Sequence, residues 1–197
     1  MMRVIRVDSS VVQKYILSLH YAKRMPSVMY AFVLADEKKT IGVITYGKPA
    51  SPWLCVGVCG PEHSASVIEL NRLVIMGDAP NLASILISGS LRQLPSGLCV
   101  VSYADTAMGH VGYVYQATNF IYTGITKERT DMASSSGHSR HNDGDRSNRV
   151  HRSAKHRYVF FTGKRNPLRP LLRYPVEPYP KGETRRYENE FTEPLFG

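Results

Sequence analysis

The chain has 197 residues, 43% of them apolar and 10% aromatic, which suffices for one buried core and excludes both a multidomain machine and an intrinsically disordered chain. Twenty-five Lys and Arg against sixteen Asp and Glu give a net charge of +9, which favours a polyanionic partner or an anionic substrate. Three cysteines are too few for a secreted disulfide scaffold and fit a reducing cytosol, and no apolar run approaches the ~18 residues that cross a bilayer, so neither export nor membrane insertion is indicated.

MRVIRV (2–7) reads as a strand, and Asp8 to Ser10 supply a cap for a helix with Val12, Tyr15, Ile16 and Leu19 on one face. VMYAFVLA (28–35), the charged turn DEKKT and IGVITYG (41–47) form a hairpin signature. Cys55 and Cys59, spaced CVGVC in an apolar run, read as small core residues, since two thiols do not complete a zinc site. VIELNRLVIM (67–76) is a strand, GDAPN breaks it, and residues 82–94 have helical apolar spacing. LCVVSYAD (98–105) is a buried inner strand, GHVGYVYQATNF (109–120) reads as a helix despite its two glycines, and IYTG returns as extended chain. This order specifies an α/β fold with a mixed sheet flanked by helices, antiparallel in its first part and parallel at its centre.

Composition changes at residue 125. Residues 1–124, read as the core, carry ten basic and seven acidic side chains, whereas residues 125–197 carry fifteen and nine. This basic C-terminal part is read as completing the same domain. Within it, residues 133–148 have almost no apolar side chain and read as a mobile loop, KHRYVFF (155–161) as a strand, and the proline-spaced end as an extended tail. From Arg146 to Arg173 there are nine Lys or Arg and no acid. Arg149, Arg152 and Arg157 in this stretch suit phosphates, with interleaved aromatics available for stacking, while a solvated charged face is the alternative.

No G-x-S-x-G, H-E-x-x-H, P-loop or G-x-G-x-x-G pattern is present, which removes the main signals of serine hydrolases, zincins, P-loop kinases and dinucleotide enzymes. Backbone amides near Asn81 to Ser84 would suit a pyrophosphate, or simply begin a helix capped by Asn81. SYAD (102–105) places Ser102, Tyr103 and Asp105 at the carboxyl end of a strand, where open α/β sheets bind ligands. Tyr113, Tyr115, Gln116 and Asn119 follow at a polar-aromatic density high for a packing helix. His20 and Tyr21, ending the first helix, either reach a cleft or serve as helix-end residues.

ELNRLV, PNLAS, VVSYAD and GHVGYVYQATNFIYTG, with KHRY and RYPVEPYPK, resemble the Mom family of phage DNA-modification proteins over about residues 21–186. The resemblance implies a GCN5-related N-acyltransferase-like fold and conversion of adenine in double-stranded DNA to N6-carbamoylmethyladenine. It further implies protection against host restriction, in the cytoplasm of the host. Carried over by motif, Asp105 would be base or amine-orienting group, Tyr115 a proton donor, and Arg72 a holder of phosphate or carboxamide. Ser102, Tyr103, His20 and Tyr21 would be neighbours, with Tyr113 and Asn119 towards the substrate. APNLAS stands where the acyltransferase class carries a Gly-rich pyrophosphate loop, so the donor is open between an activated glycine such as glycyl-tRNA and an acyl-CoA. No metal ligand set is evident. A small-molecule N-acetyltransferase of the same fold is the runner-up, and a non-enzymatic DNA-binding module the third reading.

Overall fold

A computed structural model of the chain describes residues 1–37, 39–132 and 149–182. The first strand, β1 (Met2–Val7), leads into helix α1 (Ser9–Leu19), whose N-terminus is capped by the Asp8 carboxylate accepting from Ser10 N at 2.9 Å. Val12, Tyr15 and Ile16 are the buried face of this helix, as the i, i+3, i+4 spacing requires. The hairpin β2 (Tyr30–Asp36) and β3 (Lys39–Gly47) follows, its turn entered through Glu37 at φ 53°. Next come α2 (Pro52–Cys59), a 3-10 turn (Pro61–Ser66) and β4 (Val67–Ile75). Helix α2 was not expected: residues 52–59 are apolar around most of the helix circumference, so no amphipathic period marks them, and only Pro52 at the first position signals a start.

Helix α3 (Leu82–Leu91) and strand β5 (Cys99–Asp105) match the sequence reading. The segment 109–120 does not. Its helix, α4, spans only Tyr113–Gln116, because Gly109 at φ 67° and Gly112 at φ 82° precede it and Asn119 at φ 62° follows. Left-handed residues at both ends stop propagation, which the internal pattern of apolar residues does not reveal. Strand β6 (Ile121–Ile125) and a two-stranded ribbon, β7 (Arg129–Met132) and β8 (Arg149–Arg152), come next, and β9 (Lys155–Phe161) follows the ribbon. The loop expected at 133–148 and the chain end beyond residue 182 lie outside the described residues.

The main sheet has the order β1-β2-β3-β4-β5-β9-β6, with β7-β8 as a separate pair. The expected parallel centre is therefore one parallel pair, β4 with β5, since β9 from the C-terminal part enters between β5 and β6 antiparallel to both. Helix α3 provides the crossover that this parallel pair needs. On one face α3 packs on Phe32, Ile44, Tyr46, Ile68 and Leu70. On the other, α1 covers Ala31, Val33, Val43 and Val74, and α2 covers Val67, Cys99, Val101 and Val159.

One feature of the sheet positions the site. Strands β4 and β5 are paired only from Val67–Glu69 against Cys99–Val101. Beyond that point β4 continues with β3 to Ile75 and β5 with β9 to Asp105, so the two parallel strands part towards their carboxyl ends. Open sheets bind ligands where neighbouring strands diverge in this way.

Candidate active site at the parting of two strands

A register shift between Thr45 and Tyr46 on β3 leaves Asn71 unpaired on β4, with Leu70 opposite Tyr46 and Arg72 opposite Thr45. The bulge changes which residues face α1 and α2. Before it, the alternation from Val67 places Glu69 on that side; after it, the alternation to Val74 places Arg72 there as well. Two residues that strict alternation would separate thus share one face.

Glu69 is mostly buried, and its carboxylate accepts no hydrogen bond and forms no ion pair with any described residue. Burial raises its pKa, opposed by the positive charges of Arg72 and Lys155 at longer range. Arg72 is committed to the loop between α1 and β2. Its Nη1 donates to Asn71 O at 2.6 Å, and Nε and Nη2 donate to Arg24 O at 3.4 and 3.3 Å. Asn71 Nδ2 donates to Ser27 O at 2.9 Å, so both bulge residues tie down this loop.

That loop begins with His20, whose Nδ1 accepts from Ala22 N at 3.0 Å and whose ring lies 4.3 Å from that of Tyr21. Burial, reinforced by the charge of Arg72, lowers the pKa of His20 to about 4. The imidazole is neutral at physiological pH, and because Nδ1 accepts, the proton resides on Nε2.

Ser102 and Tyr103 point to opposite faces of β5. The Ser102 hydroxyl donates to Leu70 O at 3.2 Å, bridging the mouth of the parting strands. The phenol of the buried Tyr115 is pushed up to about 12 by burial. The charge of Glu69 contributes to that rise, so Glu69 and Tyr115 sense each other across the gap although they arise from opposite sides of the sheet. Tyr115 is fixed by neighbouring rings, Tyr158 at 5.2 Å and Phe120 at 5.4 Å between centroids. Tyr158 in turn donates to Val111 O and accepts from Gln116 Nε2 at 3.1 Å, securing the turn that carries Tyr115. On the other face Tyr103, also raised by burial, lies within electrostatic range of Glu69, Arg157, Tyr174 and Arg129.

Asp105 does not have the environment of a base. Its Oδ1 accepts from Ala107 N at 3.0 Å and from the Ser153 hydroxyl, and Oδ2 accepts from Lys155 Nζ at 2.7 Å. Burial pushes its pKa up, but the bonds from Lys155 and Ser153 outweigh that and hold it below the ordinary carboxylate value. The structure thus places Asp105 at the end of β5 as an anion held by three donors. Arg157 is engaged within the fold. Its Nε donates to Thr123 Oγ1 at 2.9 Å and Nη2 to Thr123 O at 2.8 Å, and its guanidinium lies 3.4 Å over the ring of Tyr174.

Tyr113 is 64% exposed at the start of α4, and Asn119 occupies a left-handed turn after it, so neither joins the Glu69 cluster. Arg152 is exposed on the ribbon, and Arg149 opens its second strand. Asn81 stands at the α3 N-terminus with φ 63° and gives no side-chain cap, and the Ser84 hydroxyl turns back to Asn81 O at 3.0 Å. In the preceding loop Gly77 lies against Leu82, leaving 2.8 Å to an added Cβ. Among the described residues no group of three His, Cys, Asp or Glu converges as a metal site, and no helix is long and apolar enough to cross a membrane.

Glu69, Lys155, Ser153, Tyr158 and Tyr174 are the site residues that sequence reasoning missed. Glu69 alone carried a signal, as an acid within the strand motif ELNRL, flanked by apolar positions that the sheet buries.

Over 82% of this chain and 98% of the other, the fold is similar to Arabidopsis thaliana NAA60 in complex with acetyl-CoA, with a TM-score of 0.53 at 9% identity. A GNAT-family acetyltransferase from Bacillus cereus aligns over 83% of this chain and 99% of its own with a TM-score of 0.47 at 12% identity. The fold is thus the acetyltransferase fold seen in NAA60. In sequence, the chain is 27% identical over 203 residues to the methylcarbamoylase mom of Escherichia phage Mu, covering 91% of this chain and 84% of that protein. The Mom family profile matches residues 1–181, a span that contains the parting strands and every residue of the cluster around Glu69, and the chain is a member of the Mom protein family.

Proposed function

We propose that this protein is a transferase that converts adenine in double-stranded DNA to N6-carbamoylmethyladenine and so shields the DNA from restriction. The observation that carries this reading is Glu69: a partly buried carboxylate with no partner among the described residues, at the parting of β4 and β5, in a chain related to a methylcarbamoylase. Its surroundings raise its pKa while its oxygens still reach the mouth of the gap, and a carboxylate of raised pKa is a better proton acceptor than an ordinary one.

The exocyclic amine of adenine is a weak nucleophile and lies within the base stack, so the base leaves the duplex before reaction. As the amine attacks an activated carbonyl it loses a proton, which Glu69 accepts. Tyr115, whose phenol stays protonated, and the Nε2–H of His20 supply donors for the developing oxyanion or the leaving group. Arg72 positions His20 and Tyr21 through its bonds to the 20–29 loop. Asp105 fixes the corner before β9.

A carbamoylmethyl group joins nitrogen to a methylene carbon, so simple acyl transfer does not produce it. Transfer of a glycyl unit from an activated glycine such as glycyl-tRNA gives N6-glycyladenine. Its free amine then attacks ring carbon six through a five-membered spiro intermediate, favoured by proximity within one molecule. The original bond from carbon six to nitrogen breaks, the departing nitrogen gains a proton, and it becomes the carboxamide.

The test is mass spectrometry of nucleosides from DNA co-expressed with the protein and supplied with 15N-glycine. N6-carbamoylmethyladenine with heavy nitrogen attached to the ring is expected. Unmodified DNA would overturn the function. Modified DNA in which glycine nitrogen labels neither position would overturn the donor alone. A protein that acetylates small amines from acetyl-CoA and leaves DNA unmodified would be the N-acetyltransferase of the runner-up reading.

A further inference from the structure

Two polar side chains on the face of the sheet covered by α1 and α2 have no hydrogen-bond partner among the described residues: the carboxylate of Glu69 and the hydroxyl of Tyr103. Both residues are partly buried, yet among the described residues no fully enclosed side-chain polar atom lacks a bond. Both tips therefore open to solvent while their stems are packed. Their placement follows from the sheet. Glu69 stands beside Val101 in the parallel pair, and Tyr103 is the next residue on β5 to face the same way. A strand spacing of about 4.8 Å and two steps of about 3.3 Å put their backbones about 8 Å apart, on a diagonal across the gap.

The Tyr103 ring is held in place. Like Leu54 and Tyr174 it packs against the cluster that α2 buries. Arg157, directly opposite it on β9, is fixed by Thr123 and lies 3.4 Å over the ring of Tyr174. The Tyr174 hydroxyl rests against α2 at Gly57, where an added Cβ would lie 2.7 Å from it. Tyr103 is thus a hydrogen-bond donor on a fixed ring, and Glu69 beside it is an acceptor.

We propose that Glu69 and Tyr103 together read the Watson–Crick edge of the extruded adenine, Glu69 accepting from the N6 amine and the Tyr103 hydroxyl donating to ring nitrogen N1. This rests on the DNA-modifying reading above and deepens it by naming the residue that selects the base. In the duplex, thymine offers adenine an acceptor, O4, beside a donor, N3–H, and both are lost when the base leaves the stack. An acceptor beside a donor at the parting strands replaces that edge. Guanine and thymine each turn a carbonyl oxygen to the position of the amine, where the Glu69 carboxylate repels it. N7, on the other side of the amine, faces the major groove and pairs with nothing in the duplex, so extrusion leaves it no lost bond to replace.

The experiment measures binding of the full chain to fluorescent DNA duplexes that differ in one central base, set opposite an abasic site so that it leaves the stack at little cost. The base is adenine, guanine, 7-deazaadenine, or 1-deazaadenine, in which C–H replaces N1. Wild type is expected to bind the adenine and 7-deazaadenine duplexes alike and the guanine duplex more weakly. The 1-deazaadenine duplex should bind about three- to tenfold more weakly, the loss of one net hydrogen bond. Tyr103→Phe, with unchanged melting, is expected to bind adenine as weakly as wild type binds 1-deazaadenine and to lose nothing more on 1-deazaadenine. A wild type that does not distinguish 1-deazaadenine from adenine overturns the proposal without any variant, and so does a loss confined to 7-deazaadenine. A Tyr103→Phe protein that keeps the wild-type discrimination removes Tyr103 from the contact. Nucleoside analysis of co-expressed DNA reads the function separately: modified DNA without discrimination at N1 overturns this inference alone, and unmodified DNA overturns the function beneath it.

Discussion

Glu69 and Asp105 are two carboxylates on neighbouring strands whose environments drive them in opposite directions. Glu69 is partly buried with no donor among the described residues and its pKa is raised; Asp105 has three donors and its pKa is lowered. A raised carboxyl holds its proton more tightly folded than unfolded, so its contribution to stability is lost as pH rises above the ordinary value of 4.5. Above that pH the Glu69 carboxyl opposes folding, and Glu69→Gln should raise the melting temperature at neutral pH while lowering modification about a hundred- to ten-thousandfold. An active Gln variant would remove Glu69 from the chemistry. Asp105 behaves in the reverse sense: its contribution is present above the ordinary value of 3.8 and is lost as pH falls through the lowered folded value. Asp105→Asn leaves Lys155 without its counter-charge and should cost about 1–3 kcal/mol of stability at pH 7, measured by chemical denaturation. Full stability with abolished modification would instead make Asp105 the base. His20 adds a third pH signature. The unfolded histidine takes up a proton near 6.5 but the folded one only at about 4, so stability falls as pH is lowered through that window, and His20→Gln should flatten the decline. Motif residues such as Arg72 and Tyr115 were legible because the pattern names them. Glu69 was not, since only the bulge at Asn71 places it on the same side as Arg72.

At the scale of elements, the turn that delivers Tyr115 depends on conformation more than on periodicity. Gly112 adopts φ 82°, and a side chain there would strike the ring of Tyr158. Gly112→Ala combines left-handed strain of about 1–2 kcal/mol with displacement of a fully buried ring. The melting temperature should fall, and with it the modification rate, because Tyr115 rests on Tyr158 at 5.2 Å. Unchanged melting would mean that the turn adapts at no cost. Strands and long helices were readable here because alternation and the 3.6-residue period report burial directly. Helix α2 and the turn around α4 were not, because one lacks a polar face and the other is set by single left-handed residues.

At the scale of the whole molecule, the sequence presents a change of composition at residue 125 that resembles a boundary, yet the sheet runs across it. Strand β9 pairs with β5 from Cys99 opposite Phe161 to Asp105 opposite Lys155, and on its other edge with β6. Such a pairing between distant segments leaves no local trace, since period-two alternation marks a strand without naming its neighbours. The consequence is energetic. In a fragment ending at residue 124, β6 loses its one partner strand among the described residues and β5 becomes an exposed edge. Val101, Cys99 and Tyr103 on one face, and Val100, Tyr115 and Tyr122 on the other, lose the cover of Val159, Phe161 and Tyr158. Uncovering several such side chains costs roughly 1.5–3 kcal/mol each, which together matches or exceeds the whole stability of an ordinary domain. Residues 1–124 alone should therefore remain unfolded or aggregate through the open β5 edge, while residues 1–182 should unfold in one cooperative transition. Circular dichroism melting and amide proton dispersion of the two fragments provide the comparison. A soluble, cooperatively melting 1–124 fragment would mean that β9 is an appendage of the sheet and not one of its inner strands.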